Sequence, residues 1–186
     1  MHDVKEILKN LISIENISLM SSWDIINEVA SNQYNENNWH LKDRRILERI
    51  PEVIRYILLL ADFDTEVNMN GILGFLENST GLFLSETIDA LEKIEAYEDM
   101  EILKRIREIL TRYGLSTQTL RDNVNKGNLY DIASFSNTHG DQYNEMADVI
   151  CEEADKLYIH CNDRNIFDNL EKYIEKNKNQ LIEIMS

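Results

Sequence analysis

Apolar residues recur at intervals of three and four along almost the whole chain, which is the spacing of amphipathic α-helices. The chain has one proline and no run of alternating β-branched residues between turns, so nothing indicates a β-sheet. The pattern predicts an all-α fold, a single compact multi-helix domain with short N-terminal helices. We expect helices over residues 4–13, 22–31, from about 41, from Pro51 onward, 86–97, 99–113, near 117–125, 141–161 and 164–184.

Local signals place two helix starts and one domain boundary. Ser21 or Ser22 is a suitable N-cap, and Pro51 suits the first turn of a helix. Residues 32–40 are polar and predict a loop. We therefore divide the chain into an N-terminal helical extension, residues 1–40, and an all-helical domain, residues 41–186.

The segment EVNMNGILGFLENSTG, residues 66–81, interrupts the helical pattern with three of the six glycines and three asparagines. Asn70-Gly71 is a strong turn dipeptide, and asparagine side chains commonly bond nearby backbone groups. Because the segment contains no nucleophile paired with a base, we interpret it as a turn rather than an active-site loop. Glu66 is the candidate acceptor for amide groups of this turn, and Ser85 is the expected N-cap of the next helix.

The net charge is unusual, because 34 acidic and 19 basic residues give −15 at pH 7. Nucleic acids and anionic membranes repel such a protein, so we expect direct binding to neither, and a basic partner instead. The charges are also segregated along the chain. Residues 57–103 hold eleven acids and one base, residues 104–126 hold six bases and two acids, and residues 127–155 hold seven acids and no base.

The sequence favours a cytoplasmic location. The longest aliphatic run, Ile57–Ala61, is far shorter than the roughly 20 residues of a membrane span. The first ten residues lack the apolar segment of a signal peptide. Cys151 and Cys161 lie ten residues apart on one predicted helix, so we do not expect them to pair. We expect a reduced, cytoplasmic protein.

Five acidic residues form a stripe along the predicted helix 141–161. They are Asp141, Glu145, Asp148, Glu152 and Asp155, and we call them the acidic stripe. At 100° per residue they fall within a sector of roughly 80°, opposite the apolar face of the helix. The stripe would extend about 21 Å with one charge per roughly 4–5 Å, against about 3.4 Å along a DNA strand. Imitation of a duplex therefore needs a second acidic row, for which Glu92, Glu95 and Glu98 are the candidates. A merely solvated acidic face is the alternative.

Catalytic and cofactor motifs are missing from the sequence. None of the four histidines lies in a nucleophile motif, and the glycines have neither P-loop nor dinucleotide spacing. Cys151, His160, Cys161 and Asp163 do not follow a known zinc spacing. Glu92/Glu95 and Glu152/Asp155 are carboxylate pairs of the kind that can bind Mg²⁺. A Mg²⁺-dependent helical nucleotide hydrolase therefore stays an alternative hypothesis. We expect no enzyme activity, no catalytic residue, no metal site and no cofactor.

The segment at residues 66–81 resembles the signature of the bacterial DNA-mimic protein family. The matching positions are Glu66, Val67, Asn68, Gly71, Phe75, Asn78, Ser79 and Gly81. Asn70, Ile72 and Gly74 depart from the family pattern, which has glycine, an aromatic residue and glutamine there. The resemblance covers about residues 41–160 and assigns the domain at 41–186 to this family. It implies an all-helical, dimeric protein whose carboxylates replace DNA phosphates on the DNA-binding face of a transcriptional regulator.

We therefore expect an acidic binding protein that occupies the basic face of a DNA-binding protein, with a homodimer as one possible assembly. The predicted partner-binding residues are Asp141, Glu145, Asp148, Glu152, Asp155, Glu92, Glu95 and Glu98. An immunity or antitoxin protein against a basic toxin, such as a nuclease, is the nearest alternative. The magnesium-dependent hydrolase is the alternative from a different class.

Overall fold

A computed structural model describes residues 4–127 and 134–185. These residues form helices and no strands, so the all-α prediction is confirmed. The α-helices are α1 Val4–Leu11, α2 Ser22–Asn32, α3 Arg44–Leu47, α4 Glu52–Glu77, α5 Leu84–Lys93, α6 Tyr97–Arg112, α7 Thr117–Lys126, α8 Phe135–His139, α9 Asn144–Ala154 and α10 Ile166–Met185. Short 3₁₀ helices cover Glu36–Lys42, Ser79–Phe83, Asp141–Tyr143 and Tyr158–His160.

The described residues fall into two compact units. Residues up to Ala61, together with those from Phe167 onward, form the first unit, and Asp62–Ile166 form the second. The long helices α4 and α10 each contribute residues to both units. The predicted boundary near residue 40 stays a prediction.

The first unit is built on α1, α2 and the C-terminal helix α10. Ser21 is the N-cap of α2, one of the two predicted, and forms a capping box with Asp24. Its hydrogen bonds lower the pKa of the Asp24 carboxyl. Lys178 Nζ of α10 donates to the carbonyl oxygens of Met20 at 2.5 Å and Ser18 at 3.3 Å. These contacts fix the turn before α2 against α10.

The second unit holds the segments to which the sequence assigns function. Helix α5 packs against α6, and α6 packs in turn against α9. Phe63 and Phe75 meet edge to face in its core, with ring centroids 5.0 Å apart. Leu103 and Ile106 of α6 are fully buried, as is Ile150 of α9. The outward face of α9 is therefore set by its packing on α6.

Three predicted helix boundaries in the second unit are wrong. Helix α5 begins at Leu84 with Phe83 as its N-cap, so Ser85 lies inside the helix. It ends at Lys93 rather than Tyr97, because the chain turns at Glu95, whose φ of 65° is left-handed. The predicted continuous helix over 141–161 is a 3₁₀ turn, then α9, then a second 3₁₀ turn.

The segment at residues 66–81 is mostly helical instead of a loop. It continues α4 through a kink at Gly71, where φ is 69° and ψ is 178°. Glu66 Oε2 accepts hydrogen bonds from Asn70 Nδ2 at 3.0 Å and from Asn78 Nδ2 at 2.7 Å. Glu66 is thus the expected acceptor, although its donors are side-chain amides. The Glu66–Asn78 bond joins the two arms of the bent helix.

Gly81 allows the backbone to pack closely against the end of α4. A Cβ at this position would lie 2.4 Å from the carbonyl oxygen of Phe75 and 2.7 Å from that of Leu76. The 3₁₀ helix Ser79–Phe83 can therefore fold back on the end of α4 only with glycine here. The segment is a structural bend, in agreement with its interpretation as a turn.

We expect Gly71→Ala to lower the free energy of unfolding by about 1–3 kcal/mol, since its backbone conformation is nearly exclusive to glycine. Nothing lies within 4 Å of an added Cβ, so the effect is conformational and not a clash. Gly127→Ala is the comparison, because Gly127 has an ordinary φ of −69° and a Cβ there would lie 3.3 Å from the carbonyl oxygen of Val124, so we expect a smaller loss of stability than for Gly71→Ala. Urea denaturation of both variants measures the difference, and equal stabilities would contradict a strained kink.

Candidate functional site: an acidic helix face

All five members of the acidic stripe are exposed. Glu145, Asp148 and Glu152 lie on α9, while Asp141 lies in the preceding 3₁₀ turn and Asp155 is the C-cap. On the opposite side of α9, Met146, Ala147, Ile150 and Ala154 are buried. The amphipathic arrangement that the sequence predicts is therefore present, although only three stripe residues belong to the helix itself.

The regular stripe is shorter than predicted, because α9 begins only at Asn144, after Asp141, and stops at Ala154, before Asp155. Leu157 turns to an extended conformation, with ψ of 155°, and the backbone N–H of Tyr158 donates to Asp99 Oδ1 at 2.7 Å. In a continuous helix that N–H would bond to the carbonyl of residue 154. From Glu145 to Glu152 the helix rises about 10 Å, or roughly half of the predicted span.

The stripe is not neutralised within the described chain. Among residues 4–127 and 134–185, no lysine or arginine forms an ion pair with any stripe carboxylate. Partial burial raises the pKa of the thiol of the neighbouring Cys151, and the charges of Asp148 and Asp155 raise it further. Five carboxylates thus face solvent without an ion-pair partner from this part of the molecule.

Cys151 and Cys161 are free cysteines, in agreement with the expectation that they do not pair. The reason given from the sequence is wrong, because they do not share one helix. Cys151 lies on α9, and Cys161 follows the 3₁₀ helix Tyr158–His160.

Glu153 lies beside the stripe and behaves differently from it. Its carboxylate accepts from Arg105 Nε of α6 and from Lys156 Nζ at 2.5 Å. Partial burial opposes ionisation, but these two cations outweigh it and lower the pKa of Glu153. The sequence analysis missed this cluster. The spacing of Glu153 and Lys156 signals their pairing, whereas no local pattern signals the contribution of Arg105.

A buried carboxylate, Asp99, organises the chain that follows α9. It is 2% exposed and accepts from the Tyr158 N–H and from Arg164 Nε at 3.2 Å. Arg164 also pairs with Glu98 at 3.0 Å and donates to the carbonyl of Lys156. The hydroxyl of Tyr158 donates to Asp64 Oδ1 at 2.5 Å. The end of α9 is therefore fixed by partners from α4 and α6.

The predicted second row does not lie along one helix. Glu92 is on α5, Glu95 is in the turn between α5 and α6, and Glu98 is in the first turn of α6. All three are exposed. Glu98 shares the guanidinium of Arg164, so its negative charge is partly compensated. The structure thus keeps these acids at the surface without arranging them as a regular row.

The two carboxylate pairs that could bind Mg²⁺, Glu92/Glu95 and Glu152/Asp155, are exposed at the surface. No group of three or more His, Cys, Asp or Glu side chains within 4–127 and 134–185 is arranged to hold a metal ion. Nor does any helix in the same ranges combine the length and apolarity needed to cross a bilayer.

The model of the DMP19-like protein family matches residues 48–177. The chain belongs to this family. The matched range includes the bend at residues 66–81, α6, α9 and all eight predicted partner-binding residues. No curated protein and no solved structure matches this DMP19-like protein.

In this DMP19-like protein, we expect Asp99→Ala to lower the free energy of unfolding by about 3–5 kcal/mol. Loss of the carboxylate leaves Arg164 and the amide of Tyr158 without their buried partner. Asp89→Ala removes an exposed acid from neighbouring α5 and should change stability by less than about 0.5 kcal/mol. Denaturant unfolding of the two variants makes the comparison, and a small effect of Asp99→Ala would rule out this anchoring role.

Proposed function

We propose that this DMP19-like protein is a non-enzymatic binding protein that mimics DNA. Its carboxylates take the place of phosphates and occupy the basic face of a DNA-binding protein, such as a transcriptional regulator. The observation that carries the proposal is the acidic stripe, with five exposed carboxylates and no cation partner among the described residues. Membership of the DMP19-like family supports the same function.

The energetics favour a basic partner. Like charges three or four residues apart on a helix destabilise it by about 0.2–0.5 kcal/mol per pair, and a cationic surface turns that repulsion into attraction. Because the carboxylates are held on a packed helix, little conformational entropy is lost when they are matched. Association should be fast and should weaken as salt is added.

The spacing of the charges limits how DNA is imitated. Glu145, Asp148 and Glu152 provide one regular row over about 10 Å, and Asp141 and Asp155 extend it at each end. Glu92 and Glu95 lie outside that row, on α5 and in the turn before α6. We propose that the partner meets the stripe first, with Glu92, Glu95 and Glu98 as additional contacts.

We expect the triple variant Asp148→Lys, Glu152→Lys and Asp155→Lys to weaken binding of the partner by about 100-fold or more. Three charge contacts worth about 1 kcal/mol each would be lost and replaced by repulsion. The partner is captured from the source cell on immobilised protein at low and high salt, and its affinity is then measured. Circular dichroism and unfolding establish that the variant retains its fold.

A matched control variant distinguishes the effect of the stripe's position on binding from the effect of net charge. Glu15→Lys, Glu108→Lys and Glu183→Lys change the net charge equally at three exposed positions outside the stripe. The control should retain most of the affinity. If both triple variants lose binding equally, only net charge matters, and if neither does, the stripe is not the binding surface.

Displacement by DNA distinguishes the two kinds of basic partner. A duplex oligonucleotide that carries the partner's own site should displace a DNA-binding regulator from the protein. A basic toxin that is neutralised through the same carboxylates would instead regain its toxic activity when the stripe is reversed. Binding that persists when the partner is saturated with DNA would refute mimicry.

A further inference from the structure

The acidic stripe ends at a pair of fixed cations. Lys156 follows the last stripe residue, Asp155, in the turn that closes α9. Arg105 reaches the same place from α6, and both cations bind Glu153. The outward face of α9 is therefore negative, whereas at its C-terminal end two cations lie at the surface, both paired with Glu153.

These cations border a groove of about 430 Å³ in the second unit. Its lining includes Tyr97, Ile102, Arg105, Lys156 and Arg164. Tyr97 is 55% exposed, while the side chain of Arg164 is held by the buried Asp99. The groove is thus a preformed recess with one aromatic wall and three cations held by the chain's own carboxylates.

The cations retain capacity for a further anion. The side chains of Arg105 and Lys156 are 48% and 61% exposed, and each can donate several hydrogen bonds beyond those to Glu153. The groove also contains Glu98 and Glu101, but Arg164 pairs with Glu98 and Lys104 pairs with Glu101 at 3.3 Å. The local charge is balanced, so one added carboxylate does not meet an excess of negative charge.

We propose that this groove receives a carboxylate side chain of the partner, placed beside the basic surface that contacts the stripe. The inference rests on the proposed function and concerns partner selection by the same surface. DNA carries no positive group, so a carboxylate at the edge of a DNA-binding face weakens DNA binding and strengthens binding here. The groove therefore discriminates among basic proteins, because a carboxylate of the partner accepts hydrogen bonds from Arg105 and Lys156 there, whereas a cationic side chain gains none from them.

Two helical alanine-based peptides provide the test. Both carry lysines at three- and four-residue spacing, and they differ only in a terminal glutamate or glutamine. The glutamate peptide should bind the native protein about two- to fivefold more tightly, which is the contribution of an exposed charge pair. Fluorescence anisotropy at low ionic strength measures both affinities.

Two variants test whether the difference in affinity between the peptides arises at the groove. Lys156→Glu should abolish or reverse the preference for the glutamate peptide, whereas Lys126→Glu, which makes the same charge change at the end of α7, should preserve it. Equal binding of the two peptides to the native protein, or an unchanged preference in Lys156→Glu, overturns the inference. If neither peptide binds the native protein at all, the proposed function of the stripe fails instead.

Discussion

The carboxylate of Asp99 accepts hydrogen bonds from the backbone N–H of Tyr158 and from Arg164, and the surface around α9 depends on this buried interaction. The first bond supplies a partner to an amide that leaves the helix, so α9 ends at Ala154 without a buried unsatisfied donor. The second holds a guanidinium beside that helix end. One carboxylate on α6 thereby satisfies the amide at which the chain leaves α9 and holds Arg164 beside it.

The acids in this protein divide into two physical classes. Asp99 and Glu153 are withdrawn from solvent and bound to cations, and they hold helices together. The stripe acids are exposed and repel each other, so the packing of Met146 and Ile150 on the opposite face must keep α9 folded. The free energy that stabilises the helix comes from burial, which leaves its outer face free for charges that add no stability.

The sequence predicted the features that follow from local periodicity. The buried and exposed sides of α9 could be read from spacings of three and four, and Pro51 and Ser21 fix the starts of α4 and α2 through local backbone chemistry. The end of α9 could not be read in this way. It is set by a hydrogen bond between residues 59 positions apart, and no sequence window contains both partners.

The bend in α4 is a second feature that the sequence predicted only in part. Asn70-Gly71 correctly indicates a change of direction, but turn chemistry alone cannot show that helix continues on both sides. The outcome depends on Glu66, which accepts from Asn78 twelve residues later and joins the two arms. Local propensity therefore located the bend, and tertiary contacts decided its form.

Ion pairs in the fold offset part of the segregation of charge along the chain. In the base-rich segment at residues 104–126, Lys104 pairs with Glu101 and Arg105 pairs with Glu153. These two cations neutralise acids that lie beside them in the fold. Since no stripe carboxylate has an ion-pair partner among the described residues, the charge of the stripe is not balanced locally. The basic partner that we propose would supply that balance, and this links the packing of α6 on α9 to the proposed role of the acidic face.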